Sequence, residues 1–187
     1  ADGVTTTVTV VTARPIARQS VIAFLEDAIA PEHKDEARTK IMTLFAGRPE
    51  TPGVEPIVRI NSPRCADGLA DLLAIIESDT PPPALMLPKV KSADEVLLID
   101  ELLSGPLSTI RLHVIIETNQ GLKACHEIAQ ASDRIDSLLF GGVDMAADLR
   151  VEPTWDSLLY ARSRVVHAAA SASLDLIDVP FLDLNDM

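Results

Sequence analysis

Short apolar runs that end in polar or charged residues recur along this chain, and helix-like segments separate them. These runs are Ser20–Leu25, Pro56–Asn61, Ala84–Val90, Leu112–Glu117 and Ser137–Asp144. Apolar runs of this length, bounded by turn residues, are typical of buried strands. Strands that alternate with helices predict a parallel sheet with right-handed crossovers. The sequence therefore predicts an α/β fold.

Two more strands are expected near the chain ends, at Val4–Val11, which is rich in β-branched residues, and at Asp175–Asp183. About seven strands alternating with helices fit a TIM-type (β/α)8 barrel. No GxGxxG or GxxxxGK[ST] motif supports a dinucleotide-binding or P-loop fold. Such barrels typically need about 250 residues, and this chain has 187. We therefore expect a single barrel domain over residues 1–187, shortened or incomplete at its ends.

Charged and apolar residues at helical spacing predict the intervening helices. They are expected from Pro31 to Phe45, Gly68 to Glu77, Ser92 to about Gly105, Gly121 to Ala131 and Pro153 to Ala172. Ser92 is a plausible N-cap because Glu95 follows three residues later, as in a capping box.

Composition excludes several classes of function. The net charge is -12, which argues against a nucleic-acid-binding protein, since phosphate neutralisation requires clustered Lys and Arg. No apolar run approaches the roughly 20 residues that cross a bilayer, so we expect no membrane span and a cytoplasmic location. Cys65 and Cys125 lack metal-site or disulfide-framework spacing and are interpreted as free thiols.

Two of the predicted strands end in a carboxylate, Glu117 in one case and Asp144 in the other. The carboxyl ends of parallel strands are where α/β enzymes place their chemistry. Two neighbouring carboxylates can share Mg²⁺, which leaves its other positions to water and substrate oxygens. The sequence therefore predicts a Mg²⁺ site formed by Glu117 and Asp144. Taken alone, each acid could instead cap the next helix.

Five short segments, in this order, resemble the signature segments of the HpcH/HpaI aldolase and citrate lyase superfamily, with the citrate lyase β-subunit branch the more similar. They are Leu25-Glu26-Asp27-Ala28 with Lys34 and Ala37-Arg38, Val58-Arg59-Ile60-Asn61, Leu87-Pro88-Lys89-Val90, Ile116-Glu117-Thr118 and Phe140 to Leu149. The resemblance implies a Mg²⁺-dependent TIM barrel that makes or breaks a carbon-carbon bond beside a carbonyl. It also implies a trimer or hexamer, a 2-oxo acid substrate and an acyl-CoA.

The resemblance places Arg59 in the substrate site, where a permanent cation can face an enolate oxygen or hold a carboxylate. Glu26 and Asp27 are adjacent and cannot be equivalent, so one is expected to reach the metal's water shell and the other to brace the loop. Lys89 is interpreted either as a substrate contact or as a buried ion-pair partner. Substrate contacts are also expected at the residues Asn61, Gly142 and Val143, although capping is an alternative role for Asn61.

The chain departs from the family pattern at Phe24, Lys91 and Arg150, where the family usually has aspartate, glutamate and glycine. A later segment, which supplies a catalytic aspartate in acyl-CoA lyases of the family, is not in this sequence. Three hypotheses follow. The first is a Mg²⁺-dependent lyase acting on a β-hydroxyacyl-CoA such as citryl-CoA or malyl-CoA. The others are a class II pyruvate-type aldolase and a non-catalytic subunit of a lyase complex.

Overall fold

The structure of the protein is a computed structural model, and it describes residues 6–8, 19–26, 29–47 and 53–179. Within these residues seven strands form one sheet: β1 (Thr6–Val8), β2 (Gln19–Phe24), β3 (Val54–Arg59), β4 (Ala84–Leu87), β5 (Arg111–Ile116), β6 (Ile135–Phe140) and β7 (Asp175–Ile177). The same part of the chain contains seven α-helices: α1 (Lys34–Gly47), α2 (Ala66–Ile76), α3 (Ala93–Leu102), α4 (Asn119–Lys123), α5 (Cys125–Ala129), α6 (Gly142–Leu149) and α7 (Trp155–Ser171). Short 3-10 helices lie at Pro31–His33 and Gly105–Leu107.

The strands pair in chain order, and the pairs from β2 to β7 are all parallel. At least one helix lies between each of these strands and the next. This is the repeating unit of a TIM-type (β/α) barrel, as predicted. Within the described part of the chain β1 and β7 are the two edges of the sheet, so the barrel is open. The expectation of an all-parallel sheet is wrong at one position, because β1 runs antiparallel to β2.

The predicted internal strands are confirmed to within a few residues, except at the end of β6. We expected that strand to continue to Asp144, but it ends at Phe140, and α6 begins at Gly142. The Gly141 N–H donates to the Ile116 carbonyl and completes the pairing with β5. The Gly141 carbonyl then accepts from the Met145 N–H and opens the helix. Asp144 consequently lies in the first turn of α6.

Two helix details differ from expectation. The helix predicted from Gly121 to Ala131 is divided into α4 and α5 at Ala124, whose backbone leaves the helical region. Ser92 does occupy the N-cap of α3, but its side chain makes no capping bond. Glu95 instead accepts hydrogen bonds from the Arg64 side chain and the Lys91 N–H. The expected capping box is therefore not formed.

The two faces of the sheet bury different sets of residues. One face packs against the helices and holds the main core, which includes Val58, Leu85, Val114 and Leu138. The opposite face holds a smaller apolar cluster of Ile22, Ile57, Ala84, Met86 and Ile115. Because successive strand residues point to opposite sides, this cluster shares its face with the polar residues at both ends of the strands.

Parts of two predicted strands, Val4–Val11 and Asp175–Asp183, lie outside the described residues. Both cysteines are free, as expected. Among the described helices, none combines the length and apolar character needed to cross a membrane.

Candidate active site

Charged side chains converge at the carboxyl ends of four adjacent strands. Arg59 is the last residue of β3, and Glu117 directly follows β5. Glu26 and Lys89 lie two residues beyond β2 and β4, respectively. Because these strands are parallel and adjacent, the four side chains meet at one edge of the barrel.

Glu26 is buried and binds both cations of the site. Its Oε2 pairs with Arg59 Nη2, and its Oε1 accepts a 2.8 Å hydrogen bond from Lys89 Nζ. A buried carboxylate needs such partners, since an unpaired charge in the interior is strongly unfavourable. Glu26 therefore fixes the relative positions of the guanidinium and the ammonium.

Lys89 contributes through both its side chain and its backbone. Its φ of 54° lies in the left-handed region, which is uncommon for a residue other than glycine. In this conformation its N–H donates to Glu117 Oε1 at 2.8 Å, while its Nζ lies 3.7 Å from Asp144 Oδ2. The ion-pair interpretation of Lys89 is therefore the one that its contacts favour. Local backbone strain of this kind is concentrated at functional sites.

Glu117 is 2% exposed, and burial raises the pKa of its carboxyl group to about 7. Arg59, whose Nη2 lies 4.0 Å from Oε1, opposes this shift, and the negative charge of Asp144 adds to it. Glu117 therefore changes charge near neutral pH. Such a group, held at a strand end beside a guanidinium, is typical of an active site.

Gly141 provides the space that the Glu117 side chain occupies. A Cβ at this position would lie 2.4 Å from Glu117 Cβ and 2.6 Å from its Oε2. No side chain fits there without moving the carboxylate. This role of Gly141 was not predicted, although a Gly141-Gly142 pair directly after an apolar run is a signal of close backbone approach.

Asp144 lies in the first turn of α6, where the helix dipole favours a negative charge. It is close enough to Glu117 to raise the pKa of that group. Together with Glu26, the described part of the site has three carboxylates and two cations, which leaves one net negative charge among these residues when all are ionised. A divalent cation with one or two carboxylate ligands fits this excess, and it would relieve the repulsion between Glu117 and Asp144.

Asn61 lies behind the site in a buried polar network. Its side-chain NH₂ donates to the Leu25 carbonyl at 3.0 Å and to Asp71 Oδ2 at 2.7 Å. Its Oδ1 accepts from Lys34 Nζ at 2.7 Å, and Asp71 also binds Arg38. These bonds already occupy both the oxygen and the nitrogen of the Asn61 amide. They do not include a substrate, so a substrate contact of Asn61 stays a prediction.

The network contains two residues for which no functional role was predicted, Lys34 and Asp71. The signal for Asp71 was an acid within the apolar pattern of α2, where it is fully buried. Lys34 donates to the carbonyl of Leu25, the residue before Glu26. The network therefore supports the backbone that carries Glu26.

The remaining predicted residues are placed as follows. Gly142 is buried at the start of α6, where a Cβ would lie 2.9 Å from Val179 Cγ1. Val143 is exposed on the next position. Asp27 lies outside the described residues. The structure thus brings Arg59, Glu26, Lys89, Glu117 and Asp144 together, while the substrate-contact and catalytic roles stay predictions.

The fold and site define this chain as a TIM-type barrel protein. Carboxylate side chains and the cationic side chains of Arg59 and Lys89 meet at the carboxyl ends of its strands. The sequence model of the HpcH/HpaI aldolase/citrate lyase family matches residues 10–187. The chain therefore belongs to this family, as its short motifs predicted.

Two curated relatives show how much of a longer protein the chain represents. Human mitochondrial citramalyl-CoA lyase is 31% identical over 179 residues, which cover 86% of this chain and 52% of the relative. The citrate lyase subunit beta of Escherichia coli K12 is 30% identical over 171 residues, covering 87% and 56%. The chain thus spans just over half the length of these relatives.

Solved structures have the same fold. RipC from Yersinia pestis superposes with a TM-score of 0.80 and 36% identity, over 89% of this chain and 72% of RipC. The protein CitE from Mycobacterium tuberculosis, crystallised with magnesium, acetoacetate and coenzyme A, gives a TM-score of 0.72 and 29% identity. That match covers 91% of this chain and 60% of CitE.

Proposed function

We propose that this chain is the barrel part of a Mg²⁺-dependent carbon-carbon lyase that acts on a β-hydroxyacyl-CoA such as citryl-CoA or malyl-CoA. The observation that carries the proposal is the buried Glu117 carboxylate beside Arg59 at the carboxyl edge of the sheet. The names of the relatives, citramalyl-CoA lyase and citrate lyase, support the same reaction class.

Mg²⁺ is proposed as the cofactor, with Glu117 and Asp144 as its protein ligands. The charge excess of the site supports this assignment, as does the presence of magnesium in the related CitE structure. When bound, the ion supplies Lewis acidity and a template for the oxygens of a 2-oxo acid. The 2.8 Å bond from the Lys89 N–H to Oε1 holds the Glu117 carboxylate in one orientation.

Arg59 is proposed to stabilise the enolate. In the cleavage, the hydroxyl group gives its proton to a base and its carbon becomes a carbonyl. The electron pair of the broken carbon-carbon bond stays on the acyl fragment, so negative charge develops on the thioester oxygen until a proton is added to the enolate carbon. A fixed guanidinium stabilises that charge in the transition state. Arg59 Nε is buried without a hydrogen-bond partner among the described residues, and Glu26 holds Nη2. Glu26 is therefore a positioning residue.

The experiment is a condensation assay. Purified protein is incubated with Mg²⁺ and either acetyl-CoA with glyoxylate or oxaloacetate, or pyruvate with the same acceptors, and the products are separated by chromatography. We expect thioester products only, loss of turnover with EDTA, recovery with Mg²⁺, and at least a 100-fold lower rate for Glu117→Gln.

Other outcomes separate the remaining hypotheses. Condensation of pyruvate in place of acetyl-CoA would establish the class II aldolase. Absence of turnover with either pair, in protein that binds Mg²⁺ and is folded, would contradict the lyase proposal and favour a subunit role.

A homo-oligomer is also proposed, and the exposed leucines Leu69, Leu73 and Leu98 on α2 and α3 support it. A trimer or hexamer is what the family resemblance implies. A cytoplasmic location is supported by the two free thiols, one of them exposed, because such thiols persist in reducing compartments.

A further inference from the structure

A second polar cluster lies near the amino ends of the strands, away from the candidate active site. We call it the amino-end cluster: Glu55 on β3, His113 on β5 and Asp136 on β6. Each residue offers one ligand atom, and the three atoms lie within 4.8 Å of one another. No other group of three His, Cys, Asp or Glu side chains among the described residues has ligand atoms this close together. Glu55 and His113 are buried.

An apolar layer separates the amino-end cluster from the candidate active site. Strand alternation places Ile57 between Glu55 and Arg59 on one face of β3. It likewise places Ile115 between His113 and Glu117 on β5. Both isoleucines are buried in the same apolar cluster. The amino-end cluster is therefore a separate site.

His113 is oriented as a ligand would be. Its Nδ1 lies 2.7 Å from Ser137 Oγ, which fixes the plane of the ring. Its Nε2 is buried, and the described residues provide it with no hydrogen bond of acceptable geometry. Glu55 Oε2 lies 3.3 Å from this nitrogen. Metal-binding histidines commonly have one ring nitrogen fixed by a neighbouring oxygen, which leaves the other free to bind.

Glu55 presents one oxygen to the same point. Its Oε1 accepts a 2.6 Å hydrogen bond from Arg111 Nε and pairs with Arg111 Nη2. Glu55 Oε2 is therefore the oxygen that faces His113 Nε2. Carboxylates that bind metals are commonly held in place by a hydrogen bond to a neighbouring group. Arg111 holds Glu55 in this way through one oxygen, and the other oxygen faces the His113 ring.

A β-bulge brings Asp136 to the cluster. Leu112 pairs with Ile135, whereas the next residue of β5, His113, pairs with Ser137. Asp136 is therefore the extra residue on β6. Bulges reorient side chains, and they are frequent beside functional sites. The Asp136 side chain is 36% exposed, with Oδ2 3.9 Å from Arg111 Nε, so the cluster is open to solvent on this side.

We propose that Glu55, His113 and Asp136 bind a divalent transition-metal ion of the zinc type. Two ligands on a tetrahedral zinc ion, each about 2.1 Å from it, are about 3.4 Å apart. The 3.3 Å between His113 Nε2 and Glu55 Oε2 matches this separation. An imidazole ligand favours zinc over magnesium.

Zinc binding to the full chain tests this proposal. The exposed pair of His126 Nε2 and His167 Nδ1, 2.7 Å apart, could also bind zinc, so a His167→Ala parent is used. Saturating Mg²⁺ is present to occupy the candidate active site. Isothermal titration with ZnCl₂ is expected to give one ion per chain. His113→Gln is expected to weaken binding at least 100-fold, and His33→Gln, a change at an exposed histidine, to leave it unchanged.

Asp136→Asn is the second variant. The Asp136 side chain is partly exposed, and asparagine has nearly the same shape, so the packing of the core is unchanged. We expect at least tenfold weaker zinc binding and loss of the visible absorption of Co²⁺ bound in place of zinc. Equal affinity in the parent and in Asp136→Asn would overturn the proposal, even if His113→Gln did not fold. Absence of zinc binding in the parent would also overturn it and leave an ion-pair cluster only.

Discussion

At the scale of single residues, the charge of Glu117 links stability to pH. Its pKa rises from 4.5 to about 7 because the carboxyl group is buried. The folded protein therefore retains this proton between these two values, whereas the unfolded chain releases it. By linkage, the contribution of Glu117 stabilises the fold at low pH and is lost as the pH rises from about 4.5 through 7.

We expect Glu117→Gln to be more stable than the parent above pH 7 without Mg²⁺, by on the order of 3 kcal/mol. The amide is neutral at every pH, and its oxygen can still accept from the Lys89 N–H. Urea unfolding at pH 5, 7 and 8.5 measures the difference. The gap should shrink toward pH 5 and when Mg²⁺ is added to the parent. A gap independent of pH would contradict the assigned pKa.

The glycine beside this carboxylate gives a second prediction. Gly141→Ala would place a Cβ 2.6 Å from Glu117 Oε2, so the carboxylate must move. We expect at least tenfold weaker Mg²⁺ binding, measured by titration calorimetry, and a loss of about 1–3 kcal/mol in stability.

The matched control is Gly105→Ala, because that glycine has a φ of 63° and nothing within 4 Å of its Cβ position. Gly105→Ala is expected to lower the free energy of unfolding by about 1 kcal/mol through backbone strain and to leave Mg²⁺ binding intact. Equal losses of Mg²⁺ affinity in both variants would show that the Gly141 effect is not local.

Glu117 and Glu26 could be selected from the sequence because each follows an apolar run. Arg59 and Lys89 were selected because their short segments resemble those of the family. The structure places all four at one edge of the sheet. The contacts among these residues could not be predicted from the sequence. Glu26 binds both cations, and the Lys89 N–H binds Glu117. Both contacts depend on loop conformations, which leave no periodic pattern in the sequence.

At the scale of elements, the Asp71 network joins α1, α2 and the ends of β2 and β3. Asp71 is fully buried. Its carboxylate accepts a 2.8 Å hydrogen bond from Arg38 Nε, and it also accepts from the backbone N–H and the side-chain NH₂ of Asn61. Removing one member leaves buried charge and amide groups without partners. We expect Asp71→Ala to lose about 3–5 kcal/mol of stability, measured by urea unfolding.

Asp67 provides the comparison on the same helix. It is half-exposed and lies 3.9 Å from Arg38 Nη2. Asp67→Ala is expected to change stability by less than about 1 kcal/mol, because exposed ion pairs contribute little. Similar losses for both aspartates would indicate that the buried network is not the cause.

Element type was predictable where the periodicity was strong, and the errors lie where two elements meet without a spacer. The apolar run of β6 continues into Val143 and Met145, so the short helix α6 was absorbed into the strand. The division between α4 and α5 at Ala124 carries no glycine or proline signal. The antiparallel pairing of β1 also could not be predicted, since β-branched composition specifies a strand but not its direction.

At the scale of the whole molecule, the described surface exposes apolar side chains on consecutive helices. Leu69 and Leu73 on α2 and Leu97, Leu98 and Leu102 on α3 are all more than two-fifths exposed. Exposed apolar surface of this kind favours association. We expect an assembly larger than a monomer by light scattering, and a lower mass for the Leu69→Lys/Leu73→Lys double variant.

A lysine pair at two exposed polar positions four residues apart on α1, Thr39→Lys with Thr43→Lys, adds the same charge and serves as the control. If it lowers the mass equally, the apolar contacts are not responsible. A monomeric parent at micromolar concentration would contradict the expectation directly.

The barrel architecture followed from the strand-helix rhythm, and the family followed from short motifs in the correct order. The 187 residues are fewer than a closed barrel usually needs, and the sheet formed by the described residues has two free edges. The expectation of a single domain over 1–187 stays a prediction, as do the catalytic roles.

The apolar cluster of Ile22, Ile57, Ala84, Met86 and Ile115 lies between the candidate active site and the amino-end cluster on one face of the sheet. The charged side chains of the two sites are therefore separated by packed apolar side chains. Substitutions in one site are consequently expected to leave the geometry of the other unchanged.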